Sequence, residues 1–339
     1  MSIGEPLSET ELCPPELLAE QEEAFARDVA RLRARSQEFV DVPCPACGAA
    51  HGAAALEKWG FRWLECGGCR TLYMSPRPSP AVMASYYAAS ENYRYWAEVI
   101  FPASEDARRE KIHRPWVDRV SAYCKRFGVP FGTLVEIGPG FGTFGTLARE
   151  HFRRVVAIEP TPELVEACRS RGLEVIAKRV EDVGDELAGV DVVVAFEVIE
   201  HLFDPRPLLE RALALLAPGG LLVLSCPNGR GFDIQFLGAA SQAIDPEHVN
   251  LFNPDSLGLL VASAGFEIVE VSTPGRLDVE LAHDAIASGA AATPSDPILR
   301  RVLVDEYDRL AWPFQQFLAE HRLSSHMWLA AVRPVAASE

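Results

Sequence analysis

Short apolar runs alternate with helix-length segments from residue 133 onward. T-L-V-E-I at Thr133 to Ile137, V-V-A-I-E-P at Val155 to Pro160, E-V-I-A at Glu174 to Ala177 and V-D-V-V-V-A-F at Val190 to Phe196 have the length and β-branched content of buried strands. L-L-V-L-S-C-P up to Pro227, G-F-E-I-V-E-V up to Val271 and H-M-W-L-A-A-V at His326 to Val332 continue the series. Helix-like stretches lie between them, through Arg149, at Thr161 to Ser170, at Pro207 to Leu216 and after Asn253, and A-P-G-G at 217–220 reads as a turn. Such alternation predicts an α/β fold with a doubly wound, Rossmann-like sheet of seven strands.

The first third of the chain has a different pattern. Leu17 to Glu38 contains neither Gly nor Pro and is rich in Ala, Glu, Leu and Arg, which predicts a helix with one packed face. Two cysteine pairs follow between Val42 and Pro78, and then the helix-like A-V-M-A-S-Y-Y. Residues 91–127 carry aromatics through a mixed-charge run and read as mostly helical. Thr273 to Arg322 interrupts the last two strands with a helix, a Gly/Ala/Pro stretch and a longer helix from about Leu299 to Glu320. The expected partition is a helical segment at 1–40, a cysteine module at 41–78, a helical linker and cap at 79–127, and a sheet domain at 128–339 with an insertion at 276–324.

Composition narrows the function. The chain has 339 residues, 48% of them hydrophobic, with 17 Phe and 6 Trp, as in a folded globular protein. Its net charge of −16 argues against nucleic acid, whose binding depends on Lys and Arg neutralising phosphates, so a small-molecule partner is expected. No apolar run is long enough to span a membrane, and the start M-S-I-G-E-P-L lacks the basic, then apolar pattern of an export signal, so a cytoplasmic location is expected. The N-terminal helix and the 276–324 insertion each offer a surface for a homodimer.

Cys44 and Cys47 form one C-x-x-C pair, Cys66 and Cys69 another, with 18 residues between them. Two such pairs predict a structural Zn2+ in a small ribbon, because four thiolates leave no open position for chemistry. In the sheet domain, Gly138, Gly140 and Gly142 follow the first strand and turn the chain into a helix near Thr143. Glu136 stands just before this loop, where it would repel a pyrophosphate, so the loop suits a cationic or amino-bearing cofactor. Glu159, 19 residues after Gly140, ends the second strand where a carboxylate can accept from both ribose hydroxyls.

The E-I-G-P-G-F-G run with Glu159 resembles the class I S-adenosylmethionine-dependent methyltransferase family. The resemblance implies the strand order 3-2-1-4-5-7-6 and S-adenosyl-L-methionine as cofactor. It also implies that an acidic residue after strand three, Asp182 or else Glu181, meets the adenine amino group. F-E-V-I-E-H-L at Phe196 to Leu202 resembles the branch with ubiquinone-biosynthesis and sugar methyltransferases, in which Phe196 and Glu197 line the cofactor and His201 is a base or a helix cap. The cysteine module ahead of such a domain resembles the zinc-ribbon subgroup that includes sugar C-methyltransferases. There the tyrosines after the ribbon reach the substrate, which points to Tyr86 and Tyr87; core packing is the other reading. Glu247-His248 matches that subgroup's E-H pair, making His248 the first candidate for general base with Glu247 orienting it, or else a structural histidine before the helix at Asn253. Asn228, at the end of strand five, is a candidate acceptor contact.

The reaction implied is in-line methyl transfer to a hydroxyl of a sugar, nucleotide-sugar or natural product. Methylation of an enolisable carbon in a keto-sugar is the alternative, although the short stretch after strand six leaves no room for the longer C-terminal domain of those enzymes. A non-catalytic S-adenosylmethionine-binding scaffold remains a different class, and a NAD-dependent dehydrogenase is disfavoured by Glu136.

Overall fold

A computed structural model describes residues 5–335. The outermost residues of the expected 1–40 and 128–339 segments, and the beginning of the run read for an export signal, lie outside the described residues. The strands in chain order are β1 (Phe39–Val40), β2 (Gly52–Lys58), β3 (Phe61–Cys66), β4 (Leu72–Met74), β5 (Arg77–Pro78), β6 (Thr133–Ile137), β7 (Arg154–Ile158), β8 (Glu174–Ile176), β9 (Val190–Phe196), β10 (Leu216–Pro227), β11 (Asn250–Leu251), β12 (Glu267–Ser272) and β13 (His326–Val332).

Packing divides the chain into two compact units. The first comprises Met1–Arg108, Pro227–Asn253 and Thr273–Met327; the second comprises Arg109–Cys226, Pro254–Ser272 and Trp328–Glu339. This differs from the linear partition expected above. Residues 227–253 and 273–327 group with the cysteine module instead of the large sheet, in part because β11 pairs antiparallel with β4, Asn250 opposite Tyr73 and Leu251 opposite Leu72.

The second unit holds a seven-stranded sheet of order β12-β13-β10-β9-β6-β7-β8. Numbered along the chain and read from the other edge, this is the expected 3-2-1-4-5-7-6. β10–β9, β9–β6, β6–β7 and β7–β8 are parallel, and β12–β13 is antiparallel. The strand order reverses at β6, which lies between β7 and β9, so the ends of β6 and β9 flank a topological switch point. Val192, Val194 and Phe196 alternate along β9 into a core with Val120, Phe144, Leu147 and Trp328. Burial of that kind stabilises by about 1.5–3 kcal/mol per large side chain. The A-P-G-G tetrapeptide, read as a turn, is instead part of β10. Its register against β9 shifts between Leu216 and Leu221, Gly219 has φ +80°, and the Gly219 amide donates to the Arg333 carbonyl at 2.8 Å. The neighbouring chain thus converts a turn signal into a bulge.

The first unit contains a four-stranded sheet of order β11-β4-β3-β2 and the two-stranded pair β1-β5. The predicted N-terminal helix spans Pro15–Ala34 and buries Val29 and Leu32 in a cluster with Phe61, Trp63 and Met74. A second cluster joins Val279, Ala282, Val302, Leu303 and Leu318. The long helix expected from Leu299 is broken into Pro297–Arg300, a π-helical turn at Arg301–Asp305 and Tyr307–Glu320, because Glu306 leaves helical geometry at φ −130°. Among the described residues no helix is long and apolar enough to cross a membrane.

Candidate functional site

In the second unit, β6 ends one residue before Gly138, and Gly138, Gly140 and Gly142 all have positive φ, as the bare-backbone loop requires. A Cβ on Gly142 would stand 2.7 Å from Leu173 Cδ1, whereas one on Gly140 would meet no atom within 4 Å. Gly142 therefore packs against the protein while Gly140 borders open space. Glu136 is buried beneath this loop. It accepts from the Gly145 amide, its Oε2 has no hydrogen-bond partner, and burial pushes its carboxyl up to about 8. Sequence reasoning missed Gly145, whose added Cβ would come within 2.7 Å of Glu136 Oε2. Its place in the glycine-rich run was the available signal.

Glu159 follows β7, is buried, and its Oε1 accepts from the Thr161 amide at 2.7 Å. Burial raises its carboxyl above the ordinary range, and the Thr161 bonds offset part of that. Asp182 lies exposed in a 3-10 turn at Val180–Asp182, and Glu181 is half-buried with Arg179 Nη2 at 3.2 Å.

Phe196, expected to line the cofactor, packs among aromatic rings. Its ring is only 8% exposed and packs at 4.8 Å from both Trp116 and Phe144 and 5.1 Å from Trp328, because strand alternation turns it into the core. The next residue, Glu197, is exposed at φ +53°, a strained conformation for a residue with a side chain. Ser225 at the end of β10 donates to Glu197 Oε1 at 2.6 Å, and the Glu197 amide donates to the Ser225 carbonyl at 3.0 Å. Glu200 is fully buried beside Glu197. Burial, reinforced by the Glu197 charge, holds its carboxyl well above the usual range. His201 ends the 3-10 turn Ile199–His201, half-buried.

The remaining predicted residues belong to the first unit. Cys44, Cys47, Cys66 and Cys69 converge, with all four sulfurs within 4.8 Å of one another. The Cys44–Cys69 and Cys47–Cys66 sulfurs are 3.4 and 3.5 Å apart. A tetrahedron of ~2.3 Å zinc–sulfur bonds has edges of about 3.8 Å, so this donor set fits Zn2+. The two knuckles fold alike, with the Gly48 amide donating to the Cys44 carbonyl and the Arg70 amide to the Cys66 carbonyl. The left-handed position after the second pair is filled by Arg70 at φ +63°, so the glycines inside that pair are not what makes the turn.

Tyr86 is buried, and its hydroxyl donates to Glu247 Oε1 at 2.8 Å. Its ring meets Tyr87 edge-on at 5.5 Å. Glu247 is only partly screened from solvent as a whole residue, yet its carboxyl is desolvated enough to be pushed up to about 8, with Asp245 adding to the rise and the Tyr86 bond opposing it. His248 Nδ1 lies 3.0 Å from the Ala243 carbonyl oxygen. A carbonyl only accepts, so in this hydrogen bond Nδ1 carries the proton. The imidazole is thus oriented through a backbone carbonyl, a partner the Glu-His pairing did not suggest. Asn228, expected as an acceptor contact, is instead engaged within the protein. It is fully buried, its Nδ2 donates to the Ser324 carbonyl at 2.9 Å and its amide to the Ser325 carbonyl at 2.6 Å, so it holds two chain segments together.

The second unit's residues also fit the adenosyl sulfonium donor suggested by the sequence. Glu136 has an unpartnered oxygen that an ammonium N–H would satisfy, and the space beside Gly140 is what a Cβ would fill.

Comparison with known proteins agrees. A methyltransferase-domain family model matches residues 105–271. A probable S-adenosylmethionine-dependent methyltransferase of Mycobacterium tuberculosis (strain ATCC 25618 / H37Rv) is 32% identical over 171 residues, covering 50% of this chain and 60% of that protein. The ubiquinone biosynthesis O-methyltransferase of Xanthomonas axonopodis pv. citri (strain 306) is 30% identical over 200 residues, covering 55% of this chain and 80% of that one. The chain therefore spans somewhat over half the length of the mycobacterial relative it matches. Among solved structures, Burkholderia thailandensis 1,6-didemethyltoxoflavin-N1-methyltransferase aligns with a TM-score of 0.48 at 14% identity, over 81% of this chain and 96% of that one.

Proposed function

We propose, from the premise that this chain belongs to the S-adenosylmethionine-dependent methyltransferase family, that it transfers a methyl group to a small-molecule acceptor. When bound, S-adenosylmethionine supplies an electrophilic methyl on a sulfonium centre. The observation that carries the reading is the buried Glu136 with an unpaired oxygen, under a loop whose Gly140 borders open space. An ammonium would supply the donor that the unpaired oxygen lacks. Glu136 and the glycine loop hold the amino-acid end of the donor, Glu159 the ribose hydroxyls and Asp182 the adenine. Glu197, strained at the switch point and fixed by Ser225, lines the same ligand.

The acceptor we assign is a hydroxyl of a sugar, nucleotide-sugar or natural product. Oxygen is favoured over carbon because the Xanthomonas relatives are O-methyltransferases. His248 is the general base: Nδ1–H on the Ala243 carbonyl fixes the tautomer, and Nε2 takes the hydroxyl proton as the new bond forms. Tyr86 steadies Glu247 beside it, and Tyr87, against the Tyr86 ring, contributes an aromatic face to the acceptor. Cys44, Cys47, Cys66 and Cys69 would hold a structural Zn2+ in a ribbon, and the helices at 276–324 are an insertion that sets acceptor specificity.

Calorimetry with S-adenosylmethionine and S-adenosylhomocysteine tests the donor half. Mass analysis of sugar and phenolic panels after incubation, reading the gain of one methylene mass, tests the acceptor half, with keto-sugars as the carbon-methylation arm. Uptake of neither nucleoside by the folded protein would end the proposal.

A further inference from the structure

The segment carrying Glu247 and His248 is built into the cysteine-bearing sheet. β11 begins two residues after His248 and extends that sheet by pairing with β4. The Met74 amide donates to the Val249 carbonyl at 2.9 Å, and Trp63 Nε1 donates to the His248 carbonyl itself at 3.2 Å. Arg77, 1% exposed, donates through Nη2 to the Val249 carbonyl at 3.1 Å and through Nη1 to Asn250 Oδ1 at 2.8 Å. Asn253 Nδ2 donates to the carbonyl of Cys69, in the second knuckle, at 2.9 Å. A two-residue strand has little stability of its own, so its place depends on these bonds.

We infer that the cysteine-bearing sheet is a positioning device for the acceptor-side pair, with Trp63, Arg77 and Asn253 tying the knuckle geometry to the backbone of His248. The inference rests on the reading of His248 as proton acceptor, and it goes beyond a purely fold-supporting metal site. Trp63 sits on β3, whose last residue is Cys66, and Asn253 bonds to Cys69, so closure of the cysteine cluster and the position of His248 share one short set of contacts. Trp63 and Asn253 are positioning residues: neither is assigned a contact with donor or acceptor.

The test uses the full chain with Trp63→Phe and Asn253→Ala. Four readouts are taken: metal content, S-adenosylhomocysteine affinity, acceptor kcat and KM, and the 15N shifts that report which nitrogen of the His248 ring carries the proton. Both variants are expected to keep their metal and their nucleoside affinity. Their kcat falls on the order of ten- to a hundredfold, as displacement of a reacting group by ~1 Å does, with KM little changed. The His248 15N pattern moves from a single Nδ1–H tautomer to a mixture. Variants with metal retained, wild-type kcat and an unmoved 15N pattern would overturn the inference. Should Trp63→Phe fail to fold, Asn253→Ala alone decides. Absence of nucleoside binding in the wild-type chain would instead sink the methyltransferase reading, and the 15N arm would still test the positioning.

Discussion

Glu136, in the proposed donor site, carries a stability cost that can be measured without any substrate. Its carboxyl has an ordinary value of 4.5 in the unfolded chain and about 8 when buried. Below pH 4.5 both states hold the proton and there is no penalty. As the pH rises toward 8 only the unfolded chain ionises, so stability falls at about 1.4 kcal/mol per pH unit, roughly 3 kcal/mol by pH 7 and about 5 kcal/mol at the plateau. Glu136→Gln keeps the shape and an oxygen for the Gly145 amide but does not titrate. Its unpaired amide N–H costs about 1–3 kcal/mol at every pH. The difference between variant and wild type should therefore grow with pH in favour of the variant, by about 3 kcal/mol between pH 4.5 and 7. Urea melts at about pH 5, 7 and 9 measure this directly, because the midpoint at constant slope reports stability. In the same variant S-adenosylmethionine affinity should fall on the order of 10- to 100-fold, through loss of a charge-assisted bond. A variant whose stability runs parallel to wild type at all three pH values would refute the buried, raised carboxyl.

Three further outcomes follow from the geometry. Gly140→Ala should cost only about 1–2 kcal/mol, for an alanine at φ +54° that meets no protein atom, yet abolish donor uptake by calorimetry; Gly142→Ala, whose Cβ would strike Leu173, should cost several kcal/mol in a thermal melt. Cys44→Ser should lower zinc affinity by more than the ~10–100-fold typical of losing a ligand's outer partner, read by metal analysis after competition with a chelator. His248→Ala should leave S-adenosylhomocysteine binding intact and reduce turnover by ~10²–10⁴-fold at saturating acceptor. Retained turnover would remove it as the base.

Much of the sheet was legible because its information is local. β6, β9 and β13 match their predicted bounds; for the parallel β6 and β9 this is because a buried parallel strand is a short β-branched run closed by glycine or a charge. The convergence of the cysteine pairs and the place of the glutamate before the glycine loop were likewise visible, because both follow from spacing along the chain. Tertiary structure alone decided the rest. Whether Phe196 lines a ligand or fills a core depends on which sheet face the strand's alternation gives it. Asn228 is buried against Ser324, a residue far away in sequence, so its neighbours in the chain carry no sign of that role. The same holds for the A-P-G-G bulge held by Arg333, and for the joining of Asn250 and Leu251 to the cysteine-bearing sheet. Strand tendency and turn chemistry are written within a few residues. The partner of a hydrogen bond or the edge a strand will join depends on groups brought together only when the chain folds.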